Sequence, residues 1–285
     1  MPKLIVKIYL ILLLITPAYS ASDSRSSFYD FIKRLYKQET GPINRPLIEI
    51  STTYNNYSIF QSPFSEVTSP GLELKYGFNR FHDKSEYEPI FGMGSEFAFI
   101  GNNHNNIDII TDPPRNINSW YFGFGFSNGW GWNFKDKKLF LEHSSSLLFA
   151  DTDFLELGNK FDPMLEEIND ELKFAQRYSS AIVYEISNPF YIDLAYQHTI
   201  IYPEFGNFKW FGSWMAEIAF QRWIDFFKDS YVEEFGPLTP IFFITYKTAI
   251  SLMFYELRSR NRNWPFISER PVNIRSFRLN FVFVF

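Results

Sequence analysis

Residues 120–134 read Trp-Tyr-Phe-Gly-Phe-Gly-Phe-Ser-Asn-Gly-Trp-Gly-Trp-Asn-Phe. Trp120, Phe122, Phe124, Phe126, Trp130, Trp132 and Phe134 share one parity, interrupted only by Asn128. Ser119, Tyr121, Gly123, Gly125, Ser127, Gly129, Gly131 and Asn133 share the other. A period of two over this length is a strand. Its second face is mostly Gly and Ser, too small to make an ordinary solvated face. The pattern therefore predicts rings directed at lipid and small or polar groups directed into a barrel. The glycines do not form G-x-G-x-x-G, and their spacing excludes a phosphate loop.

The alternation recurs on both sides of this segment. Leu72, Leu74, Tyr76 and Phe78 oppose Gly71, Glu73, Lys75 and Gly77; Phe91, Met93, Phe97 and Phe99 oppose Gly92, Gly94, Glu96 and Ala98. Further on, Ile182, Tyr184 and Ile186 oppose Glu185, and Phe190, Ile192, Leu194 and Tyr196 oppose Asp193, Ala195, Gln197 and Thr199, with Asn188-Pro189 as the tight connection between the two runs. The reading is an all-β antiparallel transmembrane barrel of about ten strands: 46–60, 66–78, 90–101, 118–134, 139–151, 178–187, 190–202, 211–222, 240–257 and 273–285. Residues 79–89 and 223–239 are long for inner turns, so eight or twelve strands stay open. The apolar run Ile241 to Tyr255 contains Lys247, which argues against a helical membrane bundle.

Before the barrel, Lys3 and Lys7, the apolar core Ile8 to Ile15, and Ala18-Tyr19-Ser20 form a secretory signal over residues 1–20, cleaved before Ala21. Residues 21–45 are expected to be a periplasmic segment whose Ser27 caps an amphipathic helix bearing Phe28, Phe31, Ile32, Leu35 and Tyr36, and residues 46–285 the barrel. A second helix is expected from Asp162-Pro163, with Leu165, Ile168, Leu172 and Ala175 on one side, inside the longest outer loop. Ile224, Phe227, Tyr231 and Phe235 fit a third helix or a strand about equally. The chain is 20% aromatic and 46% hydrophobic with a net charge of −5, which excludes disorder and polybasic nucleic-acid binding. The absence of cysteine excludes disulfides, thiolate metal sites and Cys nucleophiles.

At the other end Phe277, Leu279, Phe281, Phe283 and Phe285 occupy every second position, the last being the final residue. This resembles the closing strand of bacterial outer-membrane β-barrel proteins. The resemblance is to architecture, with no subfamily singled out. It implies a place in the outer membrane of a Gram-negative-type bacterium after cleavage near Ser20. The implied partners are outer-membrane lipid, lipopolysaccharide and the barrel assembly machinery; the oligomeric state is left open.

By parity the lumen receives Glu49, Glu73, Glu96, Glu142, Glu185, Asp193 and Glu217 against Lys75, Lys247 and Arg278. Such a set is expected to be a closed network of paired charges, or else a narrow cation-favouring pore. On strand 139–151, His143 and Ser145 share the outward face with Leu139, Leu141, Leu147 and Phe149, and a polar pair facing lipid is a functional candidate. The H-x-S pair resembles the active strand of outer-membrane phospholipase A and lipid A deacylase barrels. That resemblance implies His143 as base and Ser145 as acyl nucleophile, with Glu156 the candidate orienting residue. The sequence departs from those families in placing Ser146, not Asn, after the serine. Asp151-Thr152-Asp153 invites comparison with the rim carboxylates of omptin proteases, but Gln197 precedes His198 where an Asp-x-His pair would be needed. The four histidines, His82, His104, His143 and His198, lack metal-ligand spacing, so neither metal nor other cofactor is expected. The leading expectation is a structural or passive narrow-channel barrel. The alternatives are a lipid-facing esterase and a surface protein that binds through its outer loops.

Overall fold

The computed structural model describes residues 45–59, 67–82, 90–104, 116–134, 137–155, 171–203, 209–260, 262–263, 266–267 and 271–285. The signal, the segment that follows it and the expected helix start at Asp162 lie outside the described residues. In chain order come β1 (Arg45–Ile59), β2 (Val67–His82), β3 (Ile90–His104), β4 (Asn116–Phe134), β5 (Lys137–Leu155), β6 (Leu172–Ser187) and β7 (Phe190–Ile201). There follow α1 (Lys209–Phe226), α2 (Lys228–Phe235), a tight turn at Gly236–Leu238, α3 (Thr239–Ser259), a two-residue ribbon of β8 (Arg262–Asn263) and β9 (Phe266–Ile267), and β10 (Val272–Val284). Strands β1 to β7 and β10 close into an eight-stranded antiparallel barrel in the order β1-β10-β7-β6-β5-β4-β3-β2.

The barrel wears its apolar residues outside. Leu72, Phe124, Leu194 and Phe277 are each more than half exposed, and Phe281 and Phe285 continue the row at the C-terminus. Inside, two apolar clusters fill the two ends. One gathers Tyr57, Phe97, Phe99, Tyr121 and Leu148, the other Leu47, Phe81, Phe91, Phe140 and Tyr191. A charged layer lies between them: along β10 the inward residues run Val272, Ile274, Ser276, Arg278, Asn280, Val282 and Val284, apolar at both ends and polar in the middle.

Two of the ten expected strands are helices. Residues 211–222 belong to α1 and 240–257 to α3. The first carries Phe211, Trp214, Ile218 and Phe220 and the second several Phe, Ile, Thr and Tyr residues, types that suit strands, and apolar residues ring both helices, which hides the helical period. Glu217 and Lys247 therefore stand outside the barrel, not in its lumen. Leu172 and Ala175, expected on a loop helix, open β6 instead. Glu96 is also outside, where its carboxylate lies 3.6 Å from Arg80 with both side chains exposed. Parity on β3 is the reverse of the expected one because Phe97 and Phe99 turn inward over the glycines of β4. A Cβ on Gly123 would stand 2.8 Å from the Phe99 ring, and one on Gly125 2.9 Å from that of Phe97. Glu73, Lys75, Glu142, Glu185, Asp193 and Arg278 face inward, as their parity predicts.

Candidate functional site

The outer wall of the barrel carries a polar strip across β4 to β7. Asn128 on β4 is the register partner of His143 on β5, which is paired in turn with Ser180 on β6; one step along, Ser145 pairs with Tyr178 and Tyr178 with His198. Each of these side chains points outward, and the helices cover them. The face that α3 buries carries Phe243, Lys247, Ile250, Ser251, Phe254, Tyr255 and Arg258, and α1 buries Ser213 and Glu217. The polar members recur at intervals of four and seven, so each helix lays a polar stripe against the wall.

The stripe and the strip interlock. Ser251 Oγ donates to Glu217 Oε1 at 2.8 Å, accepts from Gln221 Nε2 at 3.0 Å and lies 3.1 Å from His143 Nε2. With the serine proton committed to the carboxylate, the imidazole donates through Nε2, and its Nδ1 accepts from Ser180 Oγ at 3.3 Å. Thr248 Oγ1 is 2.7 Å from that Ser180 hydroxyl. Arg258 pairs with Glu217 at 2.7 Å, donates to Ser213 Oγ at 2.9 Å and to the Tyr178 hydroxyl, and is wholly buried. Lys247 pairs with Asp225 at 2.6 Å.

This arrangement bears on the expected catalytic trio. His143 and Ser145 share the outward face, but the two ring nitrogens of His143 are taken by Ser180 and Ser251. A general base needs its lone pair on the nucleophile's proton, whereas the His143 lone pair faces Ser180 and the Ser251 proton faces Glu217. The two cavities beside His143 are about 20 and 40 Å³, room for single waters and not for an acyl ester. Glu156 lies outside the described residues. Residues 82 and 104 stand at strand ends, and His198 packs between the rings of Tyr196 and Tyr255. No group of three or more His, Asp or Glu among the described residues is placed to hold a metal.

Inside the barrel the charged layer is tightly paired. Lys75 meets Glu49 at 2.7 Å; Arg278 reaches Glu73 at 2.9 Å, Glu49 at 3.4 Å and Asp193 at 3.9 Å; Arg177 holds the other oxygen of Glu73; and Asn280 donates to Asp193 at 2.6 Å. Lys75 and Arg177 also lie over the inward rings of Phe97 and Phe99. Arg177 is a lumen residue that sequence reasoning missed: the expected strand begins at 178, whereas β6 begins six residues earlier at Leu172.

No family model matches the sequence, and no curated protein does. Several solved structures are similar in shape. Neisserial surface protein A is 8% identical, with 84% of this chain and 97% of that chain covered, at a TM-score of 0.39. The attachment invasion locus protein Ail of Yersinia pestis is 8% identical over 86% of this chain and all of its own, at 0.36. The outer membrane enzyme PagL is 10% identical over 82% of this chain and 98% of its own, also at 0.36. At such identities no residue's role passes from them to this chain. The closed barrel of eight antiparallel strands is read from this chain's own strand pairing.

Proposed function

We propose that the protein is an exported outer-membrane barrel with a structural, non-conducting role. The observation that carries this reading is the lumen. The paired layer of Glu49, Glu73, Lys75, Arg177, Asp193 and Arg278 is held between two clusters of buried apolar residues. An eight-stranded barrel has interior width for little more than side chains, and here each of those charges has a partner. Support for the membrane comes from the exposed apolar exterior, including the alternating Phe277, Leu279 and Phe281 of β10. The esterase alternative needs Ser145 at His143, and the engagement of that ring by Ser180 and Ser251 counts against it. The surface-binding alternative rests on the long outer connections expected at 102–117, 152–177 and 258–274, which lie in large part outside the described residues.

Two measurements test the reading. Expressed in a Gram-negative host, the protein is expected in the outer-membrane fraction with heat-modifiable migration on gels; recovery from the soluble periplasm overturns the location. Purified and inserted into planar bilayers, it is expected to be electrically silent, and a reproducible cation-selective conductance would make it a channel.

A further inference from the structure

The helical segment between β7 and β10 has its faces the wrong way round for water. On a helix that meets solvent the polar face is exposed and the apolar face buried. Here Ser213, Glu217, Lys247, Ser251 and Arg258 are buried, while Phe211, Met215, Trp223, Phe226, Ile241 and Leu252 are exposed. The exposed charges keep to the ends. Between Ile241 and Leu252 the exposed positions of α3 are Ile241, Thr245, Ala249 and Leu252, and the Thr245 hydroxyl donates to its own helix at the Ile241 carbonyl, 2.7 Å. The Glu256–Arg260 pair stands at one end of the helices. Arg222 stands near the other, beside α2 with its exposed Glu234.

Length and level agree with this distribution. At 1.5 Å per residue the 21 residues of α3 and the 18 of α1 extend roughly 31 and 27 Å, close to the ~30 Å thickness of a bilayer's hydrocarbon core. The tip is tied to the turn end of the wall, where Trp132 Nε1 donates to the Pro237 carbonyl at 2.7 Å. The opposite end is tied to the loop end, where Trp210 stacks on Phe174 at 4.1 Å. The helices thus run the height of the wall, level with its own exposed apolar residues on β6 and β7, Ile182 and Leu194.

We infer that α1 and α3 form a helical hairpin embedded in the hydrocarbon layer of the membrane, its polar stripe sealed against the barrel and its outer face covered by lipid acyl chains. The inference rests on the reading of the barrel as a membrane protein and adds to it a lipid-facing surface built from helix instead of strand. It also explains the polar strip on the wall. In hydrocarbon, Lys247 and Arg258 need partners, and Asp225, Glu217, Tyr178 and Ser213 supply them. His143 and Ser180 likewise give Ser251 and Thr248 polar neighbours.

The chain has no cysteine, so single cysteines can report position. Met215→Cys and Leu252→Cys mark the hairpin's outer face, Leu194→Cys the bare barrel wall, and Ser230→Cys the hairpin tip. Each is labelled with the fluorophore NBD in protein reconstituted into phosphatidylcholine vesicles, and quenching by spin-labelled lipid is compared with quenching by iodide. The expected result is loss of emission to spin-labelled lipid at 215 and 252 equal to that at 194, with no effect of iodide, and the reverse at 230. Iodide quenching at 215 and 252, with 194 still quenched by lipid, would place the hairpin in water and overturn the inference alone. Shielding of 215 and 252 from both quenchers would mean that protein, such as a second copy, covers the face, and would overturn it too. Iodide quenching at 194 as well would overturn the membrane reading itself.

Discussion

The protein buries charge in two places, and it does so differently. In the lumen one guanidinium, Arg278, faces three carboxylates, and Glu73 takes a second from Arg177, so no single contact holds the layer. In the seam between wall and hairpin each cation has one carboxylate, Arg258 with Glu217 and Lys247 with Asp225. The surroundings differ as well. The lumen charges hang on strands already fixed by main-chain ladders, whereas the bonds from hairpin to wall run through side chains: Trp132 to Pro237, His143 to Ser251, Ser180 to Thr248 and Tyr178 to Arg258. Polar side chains thus fill a space in one region and join two bodies in the other.

The largest effect is expected where one residue serves the most partners. Arg278→Leu strips a cation from three buried carboxylates, and breaking a buried pair by removing one partner costs about 3–5 kcal/mol. The variant is expected near the top of that range, with the heat-modifiable form lost at much lower urea. An unchanged urea midpoint would show that Lys75 and Arg177 suffice. Next comes Arg258→Met, at about 3 kcal/mol, but with a different failure. Trp210, Trp214 and Trp223 in α1 are expected to report an early fluorescence transition while the barrel still migrates as folded. A single coincident transition would show that hairpin and barrel unfold as one. Adding Glu217→Leu to Arg258→Met sharpens the point, since apolar replacement of a whole buried pair is commonly neutral or better, and the early transition is expected to vanish.

Smaller effects separate joining from chemistry. Ser251→Ala removes the hydroxyl that joins His143 to Glu217 and is expected to lower hairpin stability by about 1–2 kcal/mol, measured on the same early transition; no shift would remove Ser251 from the joint. Ser145→Ala is expected to change stability by less than about 0.5 kcal/mol and to leave phospholipid hydrolysis at the blank level of the wild type. Wild-type fatty-acid release that disappears in Ser145→Ala would restore the esterase reading.

The sequence reveals the wall far better than the hairpin, and the reason is geometric. A lipid-facing strand alternates sharply because its two faces meet hydrocarbon and a packed lumen; 120–134 and 277–285 show this without any tertiary context. The helices of the hairpin expose apolar residues on one side and pack against a partly apolar wall on the other. Phe243, Ile250 and Phe254 share the inner face with Lys247, Ser251 and Arg258, which flattens the contrast. A usable signal was present in Thr239-Pro240, a helix start with proline in its first turn, and in the polar spacing Ser213, Glu217, Gln221. At the site, the apolar alternation breaks at Asn128, His143 and Ser145, and in the structure these positions lie under α1 and α3; nothing local to 139–151 names the covering element. The parity of Glu96 was hidden for a related reason: only the pairing of β3 with the glycines of β4 shows that two rings fit inside.

Ile201 and Val272 are register partners, so everything between them is an excursion from one interstrand connection. The ring of strands closes at that point whatever the excursion contains, which makes the hairpin a cassette in the gene's terms: removable in principle by a short turn from β7 to β10. The mark of its presence would then be left on the wall. Asn128, His143, Ser180 and Tyr178 form a footprint suited only to a covered surface, and a barrel evolving without the cassette would be driven to rewrite those positions as Leu, Phe or Val before any in the lumen.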